Sequence, residues 1–332
     1  MPIWLLQLVW RGRNGRMATA LTILAVGLFW FFAAGTFDPA NEEVSRSAAI
    51  FFVVILAYIV PVFHYITEQS VRAFDQLAPH LRADEATVAR WRRSIGEKSL
   101  GNQVAVVALG LLCWFAHTML LMDGSLERLA AAAAKGPGTL SFLVAPLLVW
   151  VAMMCAVTAL VQNAVLFRRL AAHVKIDLAD TSPLMAFGRV AVISTLALVG
   201  AQAALAILWF DAEQAVRTSL PGLTVIAIAM VALFVLPITP IRSSVAAAKQ
   251  AELGRVLASL NGERVALARE NADDRMTFAR LSPYLAYRRE IVAVNDWPFD
   301  SNIVSRLAFY LIIPPLTWLG AAMIDVAVER LL

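Results

Sequence analysis

Seven long apolar runs divide this chain, and they constrain the possible folds more than any other feature. A helix needs about 20 residues to cross a hydrocarbon core roughly 30 Å thick, and each run is long enough. Because lipid cannot satisfy backbone polar groups, such runs are predicted to be transmembrane helices. The runs cover residues 17–36, 47–66, 102–122, 139–165, 190–210, 219–238 and 306–326.

The lysines and arginines lie almost entirely in alternate connections between these runs. Counted from the first residue, the odd-numbered polar stretches hold 23 of the 28 basic residues, with Arg306 at the border of the last run included. Basic residues are retained on the cytoplasmic side of membranes. The sequence therefore predicts an all-α, polytopic integral membrane protein with about seven transmembrane helices, its N-terminus inside and its C-terminus outside.

The composition argues against a large soluble helical protein. Hydrophobic residues make up 60% of the chain and charged residues 16%, whereas soluble domains have about 45–50% and about 25%. The net charge of +4 is explained by membrane orientation and by an anionic inner leaflet. We therefore predict the lipid bilayer as a partner and predict no nucleic-acid binding.

Four regions follow from the pattern of apolar and polar residues. Residues 1–16 place tryptophans and leucines beside arginines, which is typical of an interfacial helix. Residues 17–240 are predicted to form six transmembrane helices, with a cytoplasmic helix at 67–101. Residues 241–305 form a cytoplasmic helical segment, and residues 306–332 contain the final transmembrane helix. The first run, at about 20 residues, exceeds the apolar core of a signal peptide, so we predict a retained helix.

The cytoplasmic segments are predicted to form a helical bundle. Asp84 is placed to cap a helix that begins at the next residue. Pro237 and Pro240 are expected to end the sixth transmembrane helix, and Ser282 with Pro283 to start a new one. A separate amphipathic helix is expected over 243–271, because apolar residues recur there at helical spacing. Its predicted apolar stripe consists of Leu253, Leu257, Leu260 and Leu267.

The last apolar run contains two adjacent prolines, Pro314 and Pro315. Prolines within a membrane helix free carbonyl groups that protein or a water-filled cavity must satisfy. We interpret this helix as a hinge or the lining of a conduit, and a simple packing kink is the alternative. The candidate residues are Tyr310, Pro314, Pro315, Thr317 and Trp318.

Polar side chains inside predicted membrane helices are further candidates, because burying them in lipid is costly. They are His64, His117 and Gln202. For the two histidines, the alternative is an interfacial group that reaches water. Arginines of the predicted inner face are candidates for contacts with anionic lipid heads, with simple orientation by charge as the alternative. These arginines are Arg92, Arg93, Arg168, Arg169, Arg288 and Arg289.

The sequence contains none of the motifs that would indicate an enzyme. Zinc-protease, serine-hydrolase, phosphate-loop and dinucleotide signatures are absent from it. Cys113 and Cys155 both fall in predicted membrane helices, where they are expected as apolar core residues. We therefore predict no catalytic residues, cofactor or metal, although an enzyme built on isolated carboxylates remains an alternative.

Three functions are compatible with this organisation. The first is an oligomeric channel or solute conduit in which the kinked last helix lines the path. The second is a membrane-anchored sensor or docking protein that binds a cytosolic partner through the 243–297 helices. The third is a secondary transporter. Short connections and the lack of sorting motifs predict a bacterial inner membrane, and a homo-oligomer is expected for a conduit.

Overall fold

A computed structural model describes residues 1–38, 45–121, 124–210, 212–270, 274–295 and 297. Side chains at 206, 209–227 and 274 are not described. The predicted last transmembrane helix lies outside the described residues. The candidates Tyr310, Pro314, Pro315, Thr317 and Trp318 lie there as well.

The described residues form ten α-helices and no strand, which confirms the prediction of an all-helical chain. Short 3₁₀ turns at Ala78–His80, Ser182–Leu184 and Leu205–Phe210 join some of them. The helices are α1 (Trp4–Gln7), α2 (Gly15–Ala33), α3 (Arg46–Leu77), α4 (Glu85–Gly96), α5 (Leu100–Leu121), α6 (Leu126–Ala134), α7 (Pro137–Leu170), α8 (Met185–Ala204), α9 (Ala212–Glu270) and α10 (Asp274–Ala293).

Six helical segments are long and apolar enough to cross a membrane. They correspond to the first six predicted runs, and they indicate a membrane protein. Several extend well beyond the apolar run that predicted them, as α7 does by ending at Leu170. The segments are Gly15–Ala33, Arg46–His80, Leu100–Leu121, Pro137–Leu170, Ser182–Ala204 and Ile228–Glu270.

The long helices pack side by side with alternating directions. Arg16 at the start of α2 lies 3.5 Å from Glu68 near the end of α3, so these two helices are antiparallel. α5 and α7 are also antiparallel, because Asn102 near the start of α5 accepts a hydrogen bond from Gln162 near the end of α7. The ends of α3 and α7 therefore meet the starts of α2, α5 and α8 at one end of the bundle.

A dense core closes this end, which we name the basic-end core. Its central residues are fully buried, and Phe167 and Phe187 pack edge to face with their ring centroids 5.8 Å apart. The predicted cap is confirmed, because the Asp84 side chain accepts a hydrogen bond from Thr87 N at 3.2 Å at the start of α4. The main members of the core are Phe74, Leu77, Ile95, Phe167, Leu170, Phe187, Ile241 and Val245.

The sixth long helix does not end at Pro237 and Pro240, so that prediction is wrong. α9 is 59 residues long and runs through both prolines without a break. Beyond them Ile241 and Val245 are buried in the basic-end core, and this packing outweighs the backbone hydrogen bonds that the prolines remove. The expected separate helix over 243–271 is thus the second half of α9.

α9 and α10 form an antiparallel hairpin beyond the bundle. The predicted stripe is wrong at one position, since Leu257 is 44% exposed whereas Val256 is 5% exposed. Arg280 of α10 pairs with Glu263 at 2.5 Å and with Glu270 at 2.8 Å, both on α9. Pro283 does not start a new helix, because α10 runs through it from Asp274 to Ala293.

The N-terminal residues form only one turn of helix. Gly12 has φ of 129°, a conformation that favours glycine and separates α1 from α2. Ile3 and Leu5 are buried against the bundle, and Ile3 N donates a hydrogen bond to Gly96 O at 3.1 Å. This segment is therefore fixed to the junction of α4 and α5 by both apolar and backbone contacts.

Candidate functional site

An elongated cavity of about 490 Å³ lies inside the bundle, mainly between α3, α5, α7 and α8. On α3 its lining extends from Ser45 to Ile66, which corresponds to about 32 Å at the rise of an α-helix. This volume falls within the range of about 300–1,000 Å³ that is typical of small-molecule sites. The cavity is therefore large enough to hold a small molecule.

The cavity results from the sizes of the side chains that face each other. On α7 and α8 small residues face inward, among them Ala156, Ala197 and Ala201. Phe51 and Phe63 of α3 also line the cavity, but alanine side chains are too short to fill the space that remains. Helix spacing is instead fixed elsewhere by close contacts, so the missing side-chain volume remains as a cavity.

One of these close contacts joins α5 to α7. A Cβ atom on Gly110 would lie 2.8 Å from Val151 Cα, which is closer than carbon atoms can pack. On the other side of the cavity, the Tyr58 hydroxyl group donates a hydrogen bond to Ala197 O at 2.9 Å and links α3 to α8. A side chain at Gly200 would collide with that hydroxyl group. Small residues at helix contacts are common in membrane bundles.

The lining is apolar apart from a few polar groups. None of the described lining residues is an aspartate, glutamate, lysine or arginine. The main polar feature is a pair formed by His117 of α5 and Trp150 of α7. Trp150 Nε1 donates a hydrogen bond to His117 Nδ1 at 3.0 Å, with the two rings nearly perpendicular at 86°. The other ring nitrogen, His117 Nε2, is buried and has no protein partner.

The two ends of the cavity differ. Towards the basic-end core it stops at Phe63 and Ile66, beyond which the packed aromatic residues begin. At its other end it reaches Ser45 and Thr139, near the first residues of α3 and α7. The cavity is therefore closed by dense packing at one end and bordered by hydroxyl groups at the other.

The structure places the predicted polar residues in different surroundings. His117 lines the cavity, whereas His64 is not among its lining residues. Gln202 is buried in α8 but also lies outside the lining. The cavity thus includes one of the three polar candidates named from the sequence.

The arginine candidates all lie on surfaces. Arg92 forms two hydrogen bonds with the Asp75 carboxylate, at 2.7 and 2.9 Å, so its guanidinium group is already occupied by protein. Arg93, Arg168 and Arg169 are exposed near the basic-end core, and Arg288 and Arg289 are exposed on α10. Their contact with lipid heads remains a prediction.

Sequence reasoning missed the partner that orients His117. Trp150 is 33 residues away, in a run that predicts only an apolar helix, so no local signal joins the two. Asn163 was also missed as a buried polar group, although it is 2% exposed and neither of its side-chain amide atoms has a protein partner. Both residues require the packing of α7 to be known.

The described residues contain no group of three histidine, cysteine, aspartate or glutamate side chains that could hold a metal ion. Comparisons with known proteins also leave the cavity unassigned. No family model, curated protein or solved structure matches this chain.

Proposed function

We propose that this chain is a membrane sensor that binds an apolar, lipid-soluble molecule within its helical bundle. The observation that carries this proposal is the 490 Å³ cavity with its uncharged, mainly apolar lining. A molecule that enters the cavity from water would gain free energy mainly by burying apolar surface. A molecule that enters from the bilayer is already in an apolar solvent, so its gain would come from van der Waals contacts with the cavity wall.

The charge distribution supports an orientation for this sensor. The basic-end core and the α9–α10 hairpin lie next to the connections that hold most of the lysines and arginines. Under the positive-inside rule, this end faces the cytoplasm. The hairpin would then present its exposed apolar side chains, such as Phe278 and Tyr287, to a cytosolic protein.

The lining favours binding over ion conduction. Ion paths use carbonyl rings, charged rings or water-filled constrictions, and the described lining provides no charged side chain. A molecule that prefers this apolar cavity would also dissolve in the lipid, so the protein would gain little by carrying it across. Detection of such a molecule is the simpler use of the cavity.

α8 provides a physical connection between the cavity and the hairpin. Ala197 and Ala201 on α8 line the cavity, while Ala191 on the same helix packs against Ile238 and Phe234 of α9. A molecule that pushes α8 outward would therefore also displace α9. Because α9 is continuous into the hairpin, this displacement would reach the proposed cytosolic surface.

Filling the cavity tests the proposal. A carbonyl-free aryl diazirine, activated by light, is expected to label Met153 in the cavity wall of the purified full chain. Ala201→Trp should reduce this labelling at least about fivefold by occupying the space. Ala203→Trp is the matched control, because Ala203 is on the same helix but exposed and outside the lining.

Two results would contradict the proposal. One is labelling of Met153 no stronger than that of Phe115, which is exposed on the outside of α5. The other is equal labelling in the two tryptophan variants. The sensing step is tested separately by measuring hydrogen exchange of residues 243–293 with and without dodecane. Dodecane should alter the protection of these amides in wild type but not in Ala201→Trp.

A solute conduit is the second candidate, and the length of the cavity favours it. The lining along α3 covers about 32 Å, close to the hydrocarbon thickness of roughly 30 Å. In liposomes that contain the purified protein, a conduit predicts solute flux that Ala201→Trp blocks and Ala203→Trp does not. Substitution of Pro314 and Pro315 by alanine should also change this flux if the last helix lines the path.

A further inference from the structure

We propose that the molecule bound in the cavity carries a carbonyl oxygen, and that His117 Nε2–H donates a hydrogen bond to it. This inference deepens the proposed function and rests on it. Three observations carry it: the hydrogen bond that fixes the tautomer of His117, the burial of its Nε2 without a protein partner, and the place of His117 among the residues that line the cavity.

The hydrogen bond from Trp150 determines which nitrogen of His117 carries the proton. An indole nitrogen can only donate, so His117 Nδ1 must accept the bond that Trp150 Nε1 makes at 3.0 Å. A neutral imidazole has one N–H group, which must then be at Nε2. Trp150 therefore acts as a positioning residue, because it fixes both the tautomer and the orientation of the ring.

The N–H group that results has no protein acceptor. His117 Nε2 is buried without a partner, and a buried donor that loses water without gaining a hydrogen bond is destabilising. Tyr58, the other strongly polar group in the wall, already donates to Ala197 O. His117 thus adds a buried donor without a protein acceptor to a mainly apolar wall.

This arrangement selects a class of molecule. An apolar pocket with a small number of placed polar groups binds mainly by shape and uses those groups for orientation. A hydrocarbon would fill the space but leave Nε2–H unsatisfied, whereas a ketone, quinone or ester would satisfy it. The shared chemistry is an apolar molecule with a carbonyl group, either a free ketone or quinone or the ester of a glycerolipid.

Competition between two molecules of equal size tests the carbonyl. Undecan-2-one and dodecane have the same number of non-hydrogen atoms, and the ketone has a carbonyl oxygen in place of one carbon. Each is used to displace diazirine labelling of Met153 in the full chain. In wild type, the ketone is expected to be about tenfold more effective than the alkane, since one net hydrogen bond is worth up to about a factor of ten.

Variants of the pair separate recognition from folding. His117→Phe keeps a ring but has no donor, so the preference for the ketone should fall to about one. His117→Gln keeps an acceptor for the Trp150 N–H and an N–H donor for the bound molecule, so it should retain part of the preference. Trp150→Phe leaves the imidazole free to change tautomer, and an intermediate preference of about threefold is expected. Displacement by dodecane needs the cavity but no hydrogen bond. The dodecane concentration that displaces half of the labelling should therefore change little in these variants if the cavity is intact.

The outcomes distinguish this inference from the function on which it rests. Absence of displaceable labelling at Met153 would overturn both. Displacement by both molecules with equal effectiveness in wild type would overturn the carbonyl alone, as would a preference that His117→Phe leaves unchanged. The same assay compares a decyl-substituted benzoquinone with dioctanoylglycerol. Stronger displacement by the quinone would assign the carbonyl to a free ketone or quinone, and stronger displacement by dioctanoylglycerol would assign it to a glycerolipid ester. Failure of both to displace at the ketone's concentration would overturn the inference.

Discussion

The cavity and the basic-end core are built from the same three long helices, yet one is open and the other is dense. Along α7, Ala156 faces the cavity, and about three turns later Phe167 fills the core. Along α8 the order is reversed, from Phe187 in the core to Ala201 at the cavity. All four side chains are apolar, so hydrophobicity does not distinguish these positions of α7 and α8, whereas side-chain volume does.

The two regions also differ in the driving force for packing. The basic-end core includes Ile95 of the polar helix α4, so its side chains are sheltered from water and the hydrophobic effect favours close contact. Within lipid that effect is absent between helices. A gap there can persist or hold an apolar molecule at a smaller cost, which explains why the cavity lies away from the polar end.

The largest expected effect contrasts one phenylalanine from each region. Phe167→Ala should lower the free energy of unfolding by about 3–5 kcal/mol, because it leaves a hole in a filled core. Phe51→Ala should cost about 1–2 kcal/mol less, since part of its ring already faces the cavity. Unfolding by sodium dodecyl sulfate in mixed micelles measures both. Equal losses would show that the two regions are packed alike.

A smaller effect is expected at the contact that holds the cavity open. Gly110→Leu should destabilise the protein by about 1–3 kcal/mol, because α5 and α7 have no room for a side chain there. Gly101 on the same helix has open space around it, so Gly101→Leu is the control and should be within about 0.5 kcal/mol of wild type. The same unfolding assay applies. If Gly110→Leu left the free energy of unfolding unchanged, α5 and α7 could move apart to accept the side chain, and this contact would not fix the helix spacing.

Stability near the basic end should depend on pH through Lys98. Burial lowers the pKa of Lys98 from 10.5 to about 8, so across this interval the unfolded chain binds the proton more tightly. The free energy of unfolding should therefore rise as the pH increases from about 8 to 10.5, and the penalty is fully present at neutral pH.

Lys98→Met removes this group and should be more stable than wild type at neutral pH. Because Lys98 is only partly buried, its effect should be smaller than that of a fully enclosed lysine. Unfolding curves of wild type and Lys98→Met, recorded from about pH 7 to 10.5, compare how the free energy of unfolding of each protein depends on pH. Parallel pH dependences would contradict the assignment to Lys98.

The smallest effect is expected on the outer surface of the basic end. Arg92 and Asp75 form a bidentate pair, but their side chains are 53% and 45% exposed. Asp75→Asn should therefore cost at most about 1 kcal/mol, and less at high salt. Measuring unfolding at low and high salt checks this expectation. A larger, salt-independent loss would place the pair within the basic-end core.

Much of the fold was predictable because it follows from local sequence. Length and hydropathy identified the six candidate spans, and Asp84 identified the start of α4. The errors occurred at Pro237 and Pro240, where local propensity predicts a helix end, at Pro283, where it predicts a helix start, and at Leu257, which is exposed. Tertiary contacts decide these positions, and a sequence pattern does not show which residue beyond a proline will be buried.

The candidate site was predictable only in part. His117 could be named because an ionisable group in an apolar run is unusual. The cavity could not, because it depends on the summed volumes of residues from four helices and on their mutual register. Trp150 illustrates this limit, since its role exists only when α7 is packed against α5.

The unbroken length of α9 has a geometric consequence. About 25 of its residues extend past Val245, where the helix leaves the basic-end core, and at the rise of an α-helix this arm measures about 38 Å. A tilt of about 5° at the membrane would move the tip by about 3 Å over that length. A shift too slight to notice beside the cavity would thus be magnified at the hairpin into a change that a docked protein could read.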